Sequence, residues 1–153
     1  MNIITGRTKY NVSKNKEKRT YNGIVFDSEL EMKYYRDVLL PNFENGDVVK
    51  YELQKSYELQ PKFKYNNKTV QPVNYVADFF IVYKDGHEEV IDTKGYPDSV
   101  ATLKRKLFWY HYPTIDYKWI CYSKIDGGWC DYNYVKKQRA ERRKNKKNDK
   151  EKK

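Results

Sequence analysis

The stretch YVADFFIVYKDGHEEVIDTKG, residues 75–95, holds the chain's densest chemistry. Two apolar runs flank a turn, and each carries an aspartate where a hydrophobe is expected: Asp78 in the first and Asp92 in the second. Lys94 follows two residues after Asp92. A carboxylate in a low-dielectric strand is costly unless it is paired or bound to a cation. Strand side chains alternate between faces, so Asp92 and Lys94 share one face and Thr93 points the other way. Two carboxylates beside one lysine suit a hard metal. Mg²⁺ takes oxygen ligands, keeps several waters, and is often held by one or two carboxylates plus a substrate phosphate. Such a cation polarises a phosphoryl oxygen and acidifies a bound water, which is the chemistry of phosphodiester hydrolysis. An adjacent ammonium orients that water or stabilises the developing negative charge. Gly95 would let a phosphate or a backbone come close.

An acid, any residue, then lysine is a common triplet. It recurs along the chain, for example at Asp92-Thr93-Lys94, Asp116-Tyr117-Lys118 and Glu151-Lys152-Lys153. Only the first follows, through a tight turn, a strand with an internal aspartate. Asp116 opens a strand after a proline, with no acid-bearing strand just before it, and Glu151 lies in a tail. Glu31 is the candidate third acid. It has a competing structural role, because Ser28 and Glu31 have the S-x-x-E spacing of a capping box. A metal-facing Glu31 would not cap fully. Glu29 lacks that spacing and is the weaker candidate.

The elements that must position these groups follow from periodicity and turn residues. Asn22-Gly23 marks a hairpin turn inside TYNGIVFD. The first helix starts at the Ser28 cap, carries Leu30, Tyr34, Tyr35, Val38 and Leu39 on its apolar stripe, and stops at Pro41. VVKYELQKSYELQPKF reads as one extended, bent strand ending at Pro61, and KYNNKTVQP as a polar connection. Two strands follow, over about 73–83 and 88–94, with Asp85-Gly86 in their turn. YPDSVATLKRKLFWYHYP is the second helix, with Leu103, Leu107 and Tyr110 as its buried stripe and Pro113 at its end. IDYKWICYS is a last strand and DGGW a turn. The order α-β-β-β-α-β predicts an α/β (α+β) fold, a mixed central sheet flanked by helices.

The 153 residues carry a formal net charge of +10. Residues 1–20 hold six Lys/Arg against one Glu, and residues 136–153 hold eleven against three acids. The centre is left slightly acidic, with fourteen Lys/Arg against seventeen acids. Residues 1–19 therefore read as a basic arm, 20–135 as the folded domain and 136–153 as a basic disordered tail. Two strongly basic ends suit a polyanion, with nucleic acid as the expected partner. Lys104 and Lys106 on the second helix, and Arg139, Arg142 and Arg143 in the tail, are the candidate phosphate contacts, although a solvated surface also accounts for such residues. Sixteen tyrosines point mostly to core packing, with Tyr96 and Tyr112 as candidates for base stacking. Glu88 and Glu89 read as surface strand charges. Two cysteines without CxxC spacing and two histidines far apart in sequence argue against a zinc site and a disulfide framework. No apolar run reaches the length of a membrane span, the N-terminus is not a secretory signal, and no Gly-rich phosphate loop suggests an ATP-driven function.

FDSELE, YVADF and VIDTKG, in that order, resemble the PD-(D/E)xK nuclease superfamily. More narrowly, the chain is similar to a group of small phage-encoded proteins related to Holliday-junction resolvases, over about residues 20–122. The resemblance implies a restriction-endonuclease-like core. It matches Glu31 to the helical acid, Asp78 to the metal-bridging aspartate, Asp92 to the second acid and Lys94 to the catalytic lysine. It implies Mg²⁺ (or Mn²⁺) held by Glu31, Asp78 and Asp92. It also implies a DNA substrate that is branched or a junction, and a homodimer if that junction is symmetrical. The setting would be the host cytoplasm. This chain departs from the common form in lacking a proline before Asp78 and in having Asp at 92. The competing expectation is a non-catalytic nucleic-acid-binding protein that keeps the fold, and an RNA-directed nuclease or binder is a third, weaker one.

The family fold makes one geometric demand: Asp78, Asp92 and Lys94 must share a sheet face. Opposite residues in an antiparallel pair have a constant sum of residue numbers and point to the same side. A two-residue Asp85-Gly86 turn gives a sum of 171 and sets Asp78 opposite Thr93, which splits the site. An odd loop, for example with Lys84 opposite Glu88, or a β-bulge is therefore expected.

Overall fold

The structure is a computed structural model that describes residues 15–151. Most of the expected N-terminal arm, residues 1–14, and the final residues 152–153 lie outside the described residues. Asn22 and Gly23 both take positive φ, 49° and 77°, in a tight turn between β1 (Thr20–Tyr21) and β2 (Ile24–Val25). Ser28 caps α1 (Glu29–Tyr34), accepting the Glu31 N–H.

The helix does not stop at Pro41, as its sequence predicts. It continues through one wide π turn (Tyr35–Leu39) into α2 (Leu40–Glu44). Leu40 N–H reaches back to Tyr35 O, five residues away. The wider turn relieves the clash between the Pro41 ring and the preceding carbonyls, and no N–H is missed there.

The central sheet has five strands: β3 (Val48–Gln60), β6 (Val73–Tyr83), β7 (Glu88–Thr93), β8 (Asp116–Ser123) and β9 (Gly128–Asp131), side by side in that order. All neighbours are antiparallel except β7 and β8, which run parallel and are joined by α3 (Ser99–His111). The fold is thus the mixed α+β architecture that the element order predicts, with β9 added at one edge. The "polar connection" after β3 is a separate hairpin, β4 (Phe63–Tyr65) and β5 (Lys68–Val70).

Each sheet face has its own core. Met32, Tyr34, Tyr35 and Leu39 pack on Phe79, Ile81 and Ile91 on one side. Phe108 of α3 packs on Tyr57, Tyr75, Ala77, Phe80 and Val90 on the other. The buried stripe of α3 is not the expected one: Leu103 and Tyr110 are exposed, while Phe108 is fully buried. Apolar side chains surround this helix, so spacing alone does not fix which side faces the sheet.

The segment with a disordered-tail composition is helical, as α4 (Tyr132–Glu151). Asp131 accepts the N–H groups of Asn133 and Tyr134 at its start. Tyr132 and Val135 bury against Trp119 and Cys121. Beyond that anchor, Lys, Arg, Gln and Glu are good helix formers, and Arg142 ties the third turn to Asp126 through two hydrogen bonds of 2.7 and 3.1 Å.

Candidate functional site

The site begins where β6 and β7 part. Their ladder has four pairs, Val82↔Glu88 to Phe79↔Ile91, all summing to 170. Tyr83 donates its N–H to His87 O, so Lys84, Asp85 and Gly86 form a three-residue loop. The loop is odd, as the shared face requires, though one step from the example of Lys84 opposite Glu88. The sum puts Asp78 level with Asp92, where the two strands separate. β6 stays paired to β3 down to Val73, and β7 stays paired to β8 up to Thr93.

The pleat inverts at the same level. Tyr51 and Leu53 of β3 pack on the α1 side, whereas Tyr57 and Leu59 pack on the α3 side. On β6, Phe79 and Ile81 face α1, and Tyr75 and Ala77 face α3. Odd-numbered residues thus change sides in both strands between Leu53↔Phe79 and Lys55↔Ala77. Gln54, inside that interval, takes φ 53°. Asp78 sits at this break in the pleat.

Asp78 Oδ2 accepts the Thr93 N–H at 2.7 Å and the Thr93 hydroxyl at 2.9 Å. A side chain here replaces the strand partner that Thr93 loses. Asp92 is 4% exposed; Lys94 Nζ lies 3.0 Å from its Oδ1, and the Tyr117 hydroxyl donates to its Oδ2 at 3.3 Å. Trp119 Nε1–H donates to that hydroxyl at 2.9 Å. Glu31 is also buried. Its Oε1 accepts from the Ser28 hydroxyl at 3.0 Å and its Oε2 from Gln54 Nε2 at 3.1 Å. Lys94 N–H is held by Ile120 O at 2.8 Å, which fixes the end of β7.

The three carboxyls sense one another. Burial, then the charges of Asp92 and Glu31, push Asp78 well above the usual carboxylate range. Burial also raises Asp92, against the opposing pull of Lys94. Burial raises Glu31 to about 7, with Asp27 and Asp92 adding to the shift. Lys94 thus counters one of three neighbouring buried acids, Asp92.

Of the expected Glu31, Asp78, Asp92 and Lys94, the structure sets Lys94 on Asp92 and brings the three acids within electrostatic reach of one another. Sequence reasoning missed Gln54, Thr93, Tyr117 and Trp119, which orient them. A polar Gln54 in a strand of apolar alternation was the one available signal.

The expected phosphate contacts are scattered. Lys104 is half-buried and Lys106 exposed on α3, and Arg139 and Arg143 are exposed on α4. Arg142 is committed to Asp126. Tyr96 is 73% exposed just beyond Lys94, whereas Tyr112 packs on Tyr57 and Phe108.

A second constellation lies at the opposite end of β7. His87, Glu89 and Asp116 each bring one ligand atom within 4.8 Å of the others, so these residues could hold a metal ion. Among the described residues this is the group that closes so tightly, and Glu31, Asp78 and Asp92 do not. His87 Nε2 lies 3.1 Å from Asp116 Oδ2 and 4.0 Å from Glu89 Oε2. Glu89 is 3% exposed rather than a surface charge, and Tyr83 and Lys118 already bond its two oxygens, at 2.9 and 2.5 Å. The parallel register sets Glu89 beside Asp116, a proximity that sequence distance hides. A cleft of about 460 Å³ opens beside His87, Glu89 and Lys118. No helix among the described residues is long and apolar enough to cross a membrane.

One protein-family model matches the chain, over residues 7–126, and its description is "Protein of unknown function". No curated protein and no solved structure matches.

Proposed function

The chain belongs to the DUF1064 family, and for it we propose a divalent-metal-dependent DNA endonuclease that hydrolyses phosphodiester bonds, with branched or junction DNA as its substrate. The single observation that supports this reading is the gathering of Asp78, Asp92 and Lys94 at the parting of β6 and β7, within electrostatic reach of Glu31. The donor set fits a hard cation: all its ligand atoms are carboxylate oxygens, and burial, which disfavours their charged forms when the site is empty, leaves room for a cation to stabilise them. Asp78, Asp92 and Glu31 would hold Mg²⁺ or Mn²⁺. When bound, such an ion polarises the phosphoryl oxygen and acidifies water.

The chain's own residues do the rest. Thr93 fixes the Asp78 carboxylate, and Tyr117 fixes Asp92. Burial, and after it the Asp92 charge, push the Tyr117 hydroxyl well above its ordinary value, so it stays a donor at neutral pH. Lys94 keeps its ammonium partly exposed beside Asp92, where it can orient the attacking water or meet charge on the phosphate. The exposed bases of α3 and α4 supply affinity without sequence preference. A symmetrical junction would be cut by a homodimer, one site per strand. The setting is the host cytoplasm if the protein is phage-encoded.

The test is a panel of duplex, flap, junction and single-stranded DNA incubated with Mg²⁺ or Mn²⁺. Wild type should cut at least one, and Asp78→Ala should bind but not cut. A second reading, a nucleic-acid-binding protein without catalysis, draws on Glu31, whose two oxygens are already taken by Ser28 and Gln54. It prevails if wild type binds these substrates and cuts none. RNA in place of DNA, as competitor or substrate, addresses the remaining choice of nucleic acid.

A further inference from the structure

The β4–β5 hairpin leaves the sheet after Gln60 and rejoins it at Val73. It pairs Phe63↔Val70, Lys64↔Thr69 and Tyr65↔Lys68 around a two-residue turn. Asn66 and Asn67 both take positive φ, 46° and 60°, the conformation that closes the tightest hairpins. Pro61 and Pro72 stiffen its two connections to the sheet. The hairpin is thus shaped before any partner arrives.

Its composition is unlike the rest of the domain. From Leu59 to Ala77 there are three lysines, Lys62, Lys64 and Lys68, and no acid. None of the three forms an ion pair with a described residue. Phe63 and Tyr65 are 44% and 67% exposed and lie on one face of β4. Two exposed rings on one face, beside lysines with no acid nearby in the chain, fit a recognition surface better than a core. Residues two apart in a strand stand about 6.8 Å from one another. That is twice the roughly 3.4 Å step between stacked bases, which is room for one flat base between two rings.

The position relative to the carboxylates adds the second half. β6 runs antiparallel to β7, so the start of β6 and Lys94 lie at the same end of the strands. Val70 and Lys68, the partners of Phe63 and Tyr65, lie eight and ten residues before Asp78, at most about 27 and 34 Å of extended chain. That span equals at most about eight to ten stacked nucleotides.

We propose that the β4–β5 hairpin binds unpaired bases of a nucleic acid, stacking them on Phe63 and Tyr65 while Lys62, Lys64 and Lys68 hold the backbone, within about ten nucleotides of the phosphate at Asp78 and Asp92. The proposal rests on the endonuclease reading for its partner and assigns that site a substrate with a single-stranded arm.

The test uses the full chain in EDTA, with labelled oligonucleotides: a single strand, a fully paired duplex and a flap. Phe63→Ala/Tyr65→Ala should weaken binding to the single strand and the flap by about ten-fold or more, and binding to the duplex by less than about two-fold. Lys62→Gln/Lys64→Gln/Lys68→Gln should weaken all three and flatten the salt dependence by about two in log–log slope. Thermal melting of both variants should match wild type, since neither face belongs to a core. Equal loss on duplex and single strand would make the hairpin a groove-reading ribbon and overturn the proposal. So would unchanged affinities, or a change confined to self-association. The two readings separate cleanly. If the rings matter for single strands but wild type cuts nothing with Mg²⁺ or Mn²⁺, the hairpin assignment stands and the endonuclease falls. If wild type cuts, and the ring variant cuts and binds like it, only the hairpin assignment falls.

Discussion

Asp78 takes the place of a strand: its Oδ2 receives the Thr93 N–H at 2.7 Å at the level where β6 no longer pairs with β7. The same oxygen receives the Thr93 hydroxyl at 2.9 Å. A carboxylate so fixed points one way before any ion arrives. Thr93→Val keeps the backbone bond and deletes the hydroxyl. Loss of such an outer partner costs metal sites about 10- to 100-fold in affinity or activity. We expect that range in the Mn²⁺ dependence of cleavage, with melting temperature little changed; an unaltered metal requirement would show that the hydroxyl is incidental.

The crowded acids should make the metal-free protein less stable than it could be. Burial disfavours the ionised forms of Asp78 and Asp92, and at Asp78 the charges of Asp92 and Glu31 add to it. Asp78→Asn removes a charge and keeps an acceptor for Thr93. Its melting temperature in EDTA at pH 8 should rise by several degrees while cleavage disappears. A fall in melting temperature would mean that the carboxylate is already compensated.

Glu31 sets the sign of the pH dependence. Its folded value is raised from 4.5 to about 7. Between these values the unfolded chain is ionised and the folded chain still holds the proton. Folding is therefore penalised as pH climbs through this window, by roughly 3 kcal/mol once both states are ionised. In EDTA, stability should drop from pH 4.5 to pH 7, and Glu31→Gln should flatten that slope. A bound cation competes with the same protons, so the Mg²⁺-induced thermal shift should be larger at pH 8 than at pH 6.

Much of this arrangement can be read from the residues, and the parts that cannot share a cause. The β6 and β7 strands, their odd loop and the two acids follow from alternation and parity, which are local. What stays hidden depends on partners distant in the chain. Gln54 reaches Glu31 across 23 residues, and Tyr117 reaches Asp92 across 25. Glu89 looks like a surface charge until β8 brings Lys118 against it. The helix through Pro41 defied a sound local rule because a π turn absorbs the ring. The α4 helix defied composition because two buried residues and one aspartate anchor its start.

Two donor sets compete for a cation, and mutation tells them apart. His87→Ala with Asp116→Ala should leave Mg²⁺-dependent cleavage within about two-fold, because Lys118 already neutralises Glu89. Asp92→Ala should abolish it. Mn²⁺ titration monitored by electron paramagnetic resonance would count the ions lost in each variant. Loss of cleavage with His87→Ala/Asp116→Ala would move the chemistry to the other end of β7.

Arg142 should behave as a strut, not as a phosphate ligand. Its hydrogen bonds, first, and those of Ser123 hold the Asp126 carboxyl down to about 2. Arg142→Ala should lower the melting temperature by a few degrees. In DNA-binding titrations Arg139→Ala and Arg143→Ala should each cost more affinity than Arg142→Ala, and the reverse order would free Arg142 for the partner.

The parallel pairing of β7 with β8 carries a consequence for how the protein comes into being. Tyr117 can meet Asp92 only after the chain has looped through the whole of α3, and such long closures are slow to form. A nascent chain that has emerged only as far as Lys94 owns all four proposed reactive groups yet lacks the strand that supports them. On the proposed reading, cleavage should therefore arrive only with the last third of translation, and a ribosome-stalled fragment ending before Ile115 should be inert in the same assay.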